Sequence, residues 1–288
     1  MDLPFEVPAG LSLEFDVSPA AWIDDALLPR GGGEGALVGE IVPTGFDAYA
    51  RVFHPARDPT GIEPRRWADI AAERGRTVHP EMQFEHLVGT ASLETAEWDP
   101  QVPLDGCLPQ TECAALAEIL APFTSRSDAC CFCVWDGYGF YGGGVSLSFV
   151  EGESRAAARE RERIALERAR REAEQLSKIP LVLAHPDPAG RGSFRSYFLF
   201  AGPLQAASRL EFNGWYQSPN LWWPHDRAWI VATEIDGYST FVAGSRDCID
   251  ALLSDPRLES LPTSTDRRFD LGSDQLNPSP WRDRGDSS

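Results

Sequence analysis

The sequence predicts a single α+β domain with a mixed, mainly antiparallel sheet, flanking helices and one long charged helix. Two segments of the 288-residue chain carry this prediction. Residues 229–235 and 238–243 are rich in β-branched and aromatic side chains, and the Asp236-Gly237 pair between them is typical of a type I′ hairpin turn. Residues 154–178 are rich in Ala, Glu and Arg and contain neither Gly nor Pro, which is typical of a long exposed helix.

The chain begins with a segment, residues 1–35, that we expect to pack on the domain through its scattered aromatic and leucine side chains. The domain itself is predicted to span residues 36–261. Within it we expect strands at 36–42 and 48–53. A helix is expected at 64–74, because the proline that opens this segment favours the first helical turn.

The centre of the domain alternates helix and strand signals. A helix capped by Thr111 is expected at 111–120, and strands are expected at 129–135 and 145–150. The charged helix at 154–178 follows. Its acids and bases are interleaved, which favours a solvated helix over a coiled-coil contact or a nucleic-acid-binding arm.

The C-terminal part is expected to contain strands at 181–184 and 195–200, then the hairpin, then a helix at 245–253. Residues 262–288 are polar and rich in Pro, Asp, Arg and Ser, a composition that predicts a disordered tail.

A two-residue turn also fixes the register of the hairpin. Thr233 then faces Thr240, and Val231 faces Val242, so that these four side chains share one face of the sheet. Glu234 belongs to the opposite face, among apolar neighbours.

Composition excludes several classes of function. The formal net charge of −18 disfavours nucleic acids and anionic membranes as partners. No apolar run reaches the ~20 residues that span a membrane. The N-terminus carries acids where a signal peptide carries bases, so we expect a cytoplasmic protein.

No cofactor or metal is predicted. Cys130, Cys131 and Cys133 crowd into one apolar strand without a second pair of ligands, which favours core packing over zinc. The Gly-x-Gly-x-x-Gly run at 137–142 is similar to a dinucleotide-binding fingerprint. It is followed by the strand-like segment 145–150 and not by a helix, so we interpret it as a hairpin connection.

The densest aromatic segment is 215–229, with four tryptophans and two prolines. The prolines are expected to keep 219–224 out of helix and sheet, so the rings must either pack on the domain or line a cleft. Structural pairing of the charged residues nearby and an acid–base role are both open alternatives. The candidate binding residues are Trp215, Trp222, Trp223, Asp226, Arg227 and Glu234.

At these residues the chain resembles a group of actinobacterial proteins of unknown function. The resemblance covers residues 37–261, with the helix at 154–178 as a variable insertion, and it implies no activity. It is carried by four segments, at 42–55, 134–139, 218–229 and 233–240.

Two functional hypotheses follow. The leading one is a non-enzymatic intracellular interaction protein, similar to an immunity or regulatory protein, with an unidentified protein partner. The alternative is a small-molecule binder or hydrolase with a tryptophan-lined cleft near Asp226, Arg227 and Glu234. The oligomeric state is left open by the sequence.

Overall fold

A computed structural model of the protein describes residues 3–30, 36–58, 63–89, 102–142, 154–186 and 193–281, and every structural statement below concerns these residues. Their α-helices are α1 (Trp22–Ala26), α2 (Trp67–Glu73), α3 (Phe84–Val88), α4 (Gln110–Leu120), α5 (Arg155–Leu176) and α6 (Arg246–Ser254). Their strands are β1 (Ser12–Leu13), β2 (Ala48–Phe53), β3 (Ala56–Arg57), β4 (Pro64–Arg65), β5 (Cys130–Trp135), β6 (Val182–Pro186), β7 (Ser193–Gly202), β8 (Glu211–Phe212), β9 (Trp215–Tyr216), β10 (Leu221–Pro224), β11 (Trp229–Thr233), β12 (Ser239–Gly244) and β13 (Ser260–Thr263).

One nine-stranded sheet organises the molecule. Its strand order is β1-β7-β5-β10-β11-β12-β2-β13, and β6 also pairs with β7. Every strand pair in the described part of this sheet is antiparallel. The predicted α+β class with a mainly antiparallel sheet is therefore confirmed. No helix of the described residues is both long enough and apolar enough to cross a membrane.

Both faces of the sheet are buried, and the alternation of side chains along each strand sorts them between two cores. Trp222 and Val231 join one core, which α4 and α6 cover. Trp223 and Ile230 join the other core, which includes Ile23 of α1. Central strands buried on both faces explain why this part of the sequence is apolar almost throughout.

The hairpin register is confirmed, but its turn is not the one predicted. Thr233 faces Thr240 and Val231 faces Val242. The strands end earlier than expected, and the N–H of Gly237 donates to the carbonyl of Glu234 over 3.1 Å. Neither Asp236 nor Gly237 has the positive φ that a type I′ turn needs. The reason is a neighbour: the N–H of Gly106 donates to the carbonyl of Gly237 over 2.9 Å, so the turn is shaped by the loop packed on it.

Two further expectations about strands are wrong. Residues 36–42 form a 3-10 turn (Val38–Glu40) and not a strand. Conversely, Leu221–Pro224 is a central strand although Pro219 lies just before it and Pro224 lies within it. Pro224 is the last residue of that strand, opposite Cys130, where the lost N–H interrupts the ladder least. The strand expected at 145–150 lies outside the described residues.

Helix caps follow the sequence signals in part. Ser154 Oγ accepts from the N–H of Ala157 at the start of α5, and Ser245 Oγ accepts from Cys248 at the start of α6. Thr111 is not a cap, because α4 begins one residue earlier with Pro109 before it.

The predicted disordered tail is corrected by the structure as far as Trp281. Residues 264–281 pack back on the domain, and Asp274 is 3% exposed. His79 Nε2 bonds to this carboxylate over 2.9 Å, and the N–H and Nδ2 of Asn277 donate to it over 2.9 and 3.0 Å. Polar composition misleads here, since these polar groups bond to each other and to the domain instead of to water. Residues 282–288 lie outside the described part.

Candidate functional site

The tryptophans predicted to line a cleft are core residues. Trp222 and Trp223 are each 1% exposed, and as neighbours on β10 they point to opposite faces of the sheet. Trp222 stacks edge-on against Trp229, with ring centroids 5.4 Å apart. No ligand can reach either ring without opening the core. The tryptophan-lined cleft is therefore not the arrangement of this molecule.

The two charged residues predicted in this segment, Asp226 and Arg227, lie just after β10 and contact neighbouring loops and side chains. Asp226 accepts hydrogen bonds from the backbone of Ser125 and from both the Thr124 and Ser125 hydroxyls. Burial raises the pKa of Asp226, but these bonds outweigh it and hold the pKa below its usual value. The guanidinium of Arg227 lies over the ring of Trp22, 5.1 Å from its centroid. Both charged groups have structural roles.

Trp215 stands apart from the other predicted residues. It lies on the short hairpin formed by β8 and β9, and 70% of it is exposed. It therefore lines no cleft, but its ring is available to a partner.

Glu234 is the one predicted residue that borders a cavity. It follows β11 and pairs with Arg195 of β7, whose Nε lies 3.0 Å from Glu234 Oε1. The same guanidinium bonds to Asp236 in the hairpin turn, also over 3.0 Å. Glu234 is thus bound to a cation and is not a free acid or base.

The cavity beside Glu234 has a volume of about 440 Å³, within the range of small-molecule sites. Its sides come from distant parts of the chain: the hairpin turn, the start of β7, α3, and the C-terminal segment at 269–271. Aromatic rings line much of it, namely Phe194, Tyr238, Phe241 and Phe269. We call this cavity the Arg51 cleft, after its most deeply buried arginine.

Arg51 lies on β2, which pairs with β12 on one side and β13 on the other, and it stands opposite Phe241 of β12. It is 3% exposed, and its Nε donates to Ser239 Oγ over 2.9 Å. Its Nη1 donates to the carbonyls of Pro80 and Met82 over 2.8 and 3.0 Å. These bonds hold the guanidinium rigidly. They leave Nη2 without a hydrogen-bond partner among the described residues.

The charge of Arg51 is not cancelled by an ion pair with any described carboxylate. Burial lowers its pKa to about 9, against the more distant charges of Asp274, Glu81 and Glu85, which raise it. Arg51 therefore remains a cation at neutral pH. Its guanidinium also faces the ring of Phe53, 4.7 Å from the centroid, which stabilises the charge from the other side.

Glu85 is the second unusual group that lines the cleft. It lies in the first turn of the short helix α3 and is 6% exposed. Its Oε2 has no hydrogen-bond partner among the described residues. Burial raises the pKa of this carboxyl above its ordinary value, although the charges of His86 and Arg51 oppose the shift.

A buried hydroxyl–imidazole chain lies next to the cleft but is not a catalytic pair. Thr240 Oγ1 lies 2.9 Å from His54 Nε2 and 2.7 Å from Thr233 Oγ1, and His54 Nδ1 lies 2.7 Å from the carbonyl of Leu104. His54 and Thr240 are both 0% exposed. Burial lowers the pKa of His54 to about 4, so the ring is neutral and links strands within the core.

The cysteines are buried thiols. Burial raises the pKa of Cys130 to about 12 and that of Cys131 to about 11, which makes both unreactive at neutral pH. Among the residues that the structure describes, no group of three His, Cys, Asp or Glu side chains could hold a metal ion.

Sequence reasoning missed the two groups that define the cleft, Arg51 and Glu85. A signal for Arg51 was present, since it is the one charged residue in the strand Ala-Tyr-Ala-Arg-Val-Phe, and an arginine is almost never fully buried unless it is paired. Glu85 carried a weaker signal, a carboxyl within a five-residue helix buried along its whole length.

Comparisons of the chain with protein-family models, with curated proteins and with solved structures gave no match. The geometry of the Arg51 cleft is therefore the basis for assigning a function.

Proposed function

We propose that this is a binding protein, without catalytic activity of its own, whose Arg51 cleft takes a small organic acid. The observation that carries the proposal is the buried guanidinium of Arg51, which faces a cavity with one nitrogen unbonded and has no ion-pair partner among the described residues. A buried cation without a counter-charge costs several kcal/mol. An anionic ligand on Nη2 offsets that cost.

Binding fits the cleft better than hydrolysis does. The carboxylate expected to act as an acid or base, Glu234, is held by Arg195. The rigid attachment of Arg51 to Ser239 and two carbonyls suits recognition of a fixed anionic group. The net charge of −18 opposes large polyanions, so the ligand class is a small acid and not a nucleic acid. A cytoplasmic location is part of the same proposal.

The test is calorimetric titration with a panel of aliphatic and aromatic carboxylates, on wild type and on Arg51→Lys. A lysine ammonium keeps the positive charge, but it has one nitrogen in place of the three of the guanidinium. It cannot keep the bonds to Ser239, Pro80 and Met82 and also present a free donor in the position of Nη2. We expect wild type to bind members of the panel and Arg51→Lys to bind them at least tenfold more weakly.

The matched control is Arg126→Ala, which removes an exposed arginine that pairs with Asp128 away from the cleft. It should bind as wild type does. Circular dichroism and thermal unfolding establish that Arg51→Lys is folded. If no carboxylate binds wild type, or if folded Arg51→Lys binds equally well, the proposal is wrong.

A second function is favoured by a separate observation, the 70% exposure of Trp215. We propose that the β8–β9 hairpin contacts a protein partner, in keeping with an immunity-like or regulatory role. An exposed tryptophan is the side chain most enriched at interaction hot spots.

Affinity capture from a native lysate compares wild type, Trp215→Ala and the exposed-residue control Phe15→Ala. We expect a stoichiometric partner that is lost with Trp215→Ala and kept with Phe15→Ala, which is 53% exposed in the wild type. A partner retained equally by all three proteins would place the contact elsewhere, and no partner at all would remove this second proposal.

A further inference from the structure

The charged groups that line the Arg51 cleft divide into paired and unpaired ones. Most of them are already in ion pairs and have little left to offer a ligand. Only Arg51 and Glu85 line the cleft without an ion pair among the described residues. The paired groups are Arg195 with Glu234 and Asp236, Arg30 with Glu40, and Asp270 with Arg268.

The state of Glu85 requires an explanation. A buried carboxyl oxygen without a hydrogen bond lowers the stability of the folded protein, and more so when it is ionised. The nearby cation of Arg51 is close enough to lower its pKa, yet the two do not form an ion pair. A hydrogen bond from its own backbone N–H also lowers the pKa of this carboxyl, but Oε2 has no partner among the described residues. A ligand that donates a hydrogen bond to it would remove the cost.

The two groups have opposite charge and border one cavity without contacting each other. A simple carboxylate satisfies Arg51 and leaves Glu85 as it is. A simple amine satisfies Glu85 and leaves Arg51 as it is. A molecule that carries both groups binds both, and charge-assisted hydrogen bonds of this kind are stronger than neutral ones.

The rest of the cleft suits an apolar substituent. Phe241 and Phe269 pack edge to face, with ring centroids 5.6 Å apart, and Tyr238 completes this aromatic wall. A volume of about 440 Å³ leaves room for a side chain beyond the two polar groups.

Building on the proposed function, we infer that the ligand of the Arg51 cleft is amphoteric: its carboxylate binds Arg51, its amine binds Glu85, and its side chain lies on the wall of Tyr238, Phe241 and Phe269. The class is that of free α-amino acids with a large apolar or aromatic side chain. Glu85 is the residue that separates such a ligand from an ordinary organic acid.

The test uses matched probes that differ only in the amine. The free L-amino acids that occur in proteins, and the N-acetyl derivative of each, are titrated calorimetrically into wild type, Glu85→Gln and the control Glu118→Gln. Glu118 is an exposed acid of α4 that pairs with Arg257. In wild type and in Glu118→Gln, the best free amino acid should bind at least about tenfold tighter than its N-acetyl form. In Glu85→Gln this ratio should fall to about threefold or less.

A pH series on wild type gives a second measurement that needs no variant. An ammonium group binds the ionised form of Glu85, and burial raises the pKa of this carboxyl above 4.5. Lowering the pH from 7 to 5 should therefore weaken the binding of the free amino acid more than the binding of its N-acetyl form. The ratio of the two affinities should then decrease.

The outcomes separate this inference from the function on which it rests. If N-acetyl and amine-free carboxylates bind as tightly as free amino acids, the amphoteric ligand is wrong and the organic-acid site stands. If the preference for the free amino acid over its N-acetyl form is unchanged in Glu85→Gln and across the pH series, another group binds the amine and the proposed role of Glu85 is wrong. If no carboxylate of either panel binds, both proposals are overturned.

Discussion

The tryptophan-rich strands and the Arg51 cleft are built in opposite ways. On β10 and β11, Trp222, Trp223 and Trp229 are buried, and each packs its apolar ring into one of the two cores. In the cleft, charged side chains are buried beside empty space, and two of them lack ion pairs among the described residues. The first region carries no buried charge, and its one buried polar side-chain atom without a partner among the described residues is the neutral Nε1 of Trp229. The second region contains two buried charged groups without ion pairs among the described residues, and that difference is why we propose a ligand site there.

The contrast teaches that a dense aromatic signal and a functional signal are different things. Large rings cluster where a sheet is buried on both faces, because they supply the most apolar area per residue. A guanidinium and a carboxyl in similar surroundings lower stability unless something binds them. Such groups are rare in a sequence, and they are easily overlooked beside four tryptophans.

The largest loss of stability is expected when Trp222 of the tryptophan-rich strands is replaced, and it tests whether this region is core. Replacing it with alanine leaves a cavity in the core beside Trp229, and we expect a loss of about 3–5 kcal/mol in the free energy of unfolding. Urea unfolding measures it. Trp215→Ala is the matched control and should change stability by less than about 0.5 kcal/mol, since Trp215 is exposed. Equal losses would mean that the two rings are not differently placed.

A smaller loss is expected where the C-terminal segment closes the cleft. Asp274 anchors residues 264–281, whose Phe269 and Leu271 form one side of the cavity. Asp274→Asn should lower stability by about 2 kcal/mol at neutral pH, because it weakens a buried network of hydrogen bonds. Hydrogen exchange should rise in residues 264–281 first. Asp266→Asn, an exposed acid in the same segment, should leave the exchange unchanged.

The pH dependence of this anchor has a defined sign. Burial raises the pKa of Asp274, but hydrogen bonds from Asn277, Gln83 and His79 outweigh it and hold the pKa below its ordinary value of 3.8. The ionised carboxylate therefore contributes stability above pH 3.8, and that contribution is lost as the pH falls through the lower native pKa. The difference between wild type and Asp274→Asn should shrink in acid. A constant difference from neutral pH to pH 2 would contradict the role of the charge.

The smallest expected effect concerns Glu85, and it is a gain in stability on substitution. Burial raises the pKa of Glu85 above 4.5, so the native state holds this proton more tightly than the unfolded chain does. Glu85 accordingly costs stability as the pH rises above 4.5. Glu85→Gln should be about 1 kcal/mol more stable at pH 7 and no more stable below pH 4. A less stable variant would show that the carboxyl supports the fold and is not held for a ligand.

The parts of the fold that the sequence predicts well are those with short-range causes. The register of the β11–β12 hairpin follows from two β-rich runs and a short connection, and α5 follows from composition and its Ser154 cap. The predictions are wrong where a segment distant in the sequence determines the local structure. The hairpin turn is shaped by Gly106, and Leu221–Pro224 becomes a strand because β5 and β11 pair with it on both sides.

The candidate site was less predictable, for the same reason. Of the six predicted residues, only Glu234 lines the cleft. The side chains that define it come from β2, α3, the hairpin turn and the C-terminal segment, and the last of these was predicted to be disordered. No pattern within a window of the sequence links Arg51 to Glu85 or to Phe269. Their meeting depends on how the sheet is ordered and on what docks against it.

By itself, the sequence determined the α+β class, the antiparallel hairpin and the charged helix, because local propensity and side-chain alternation act over a few residues. Only the tertiary structure decided which aromatic rings lie in the core, which polar segment packs on the domain, and which charged groups lack an ion pair among the described residues. Those outcomes depend on burial, which belongs to the assembled molecule and changes the energy of the same side chain by several kcal/mol.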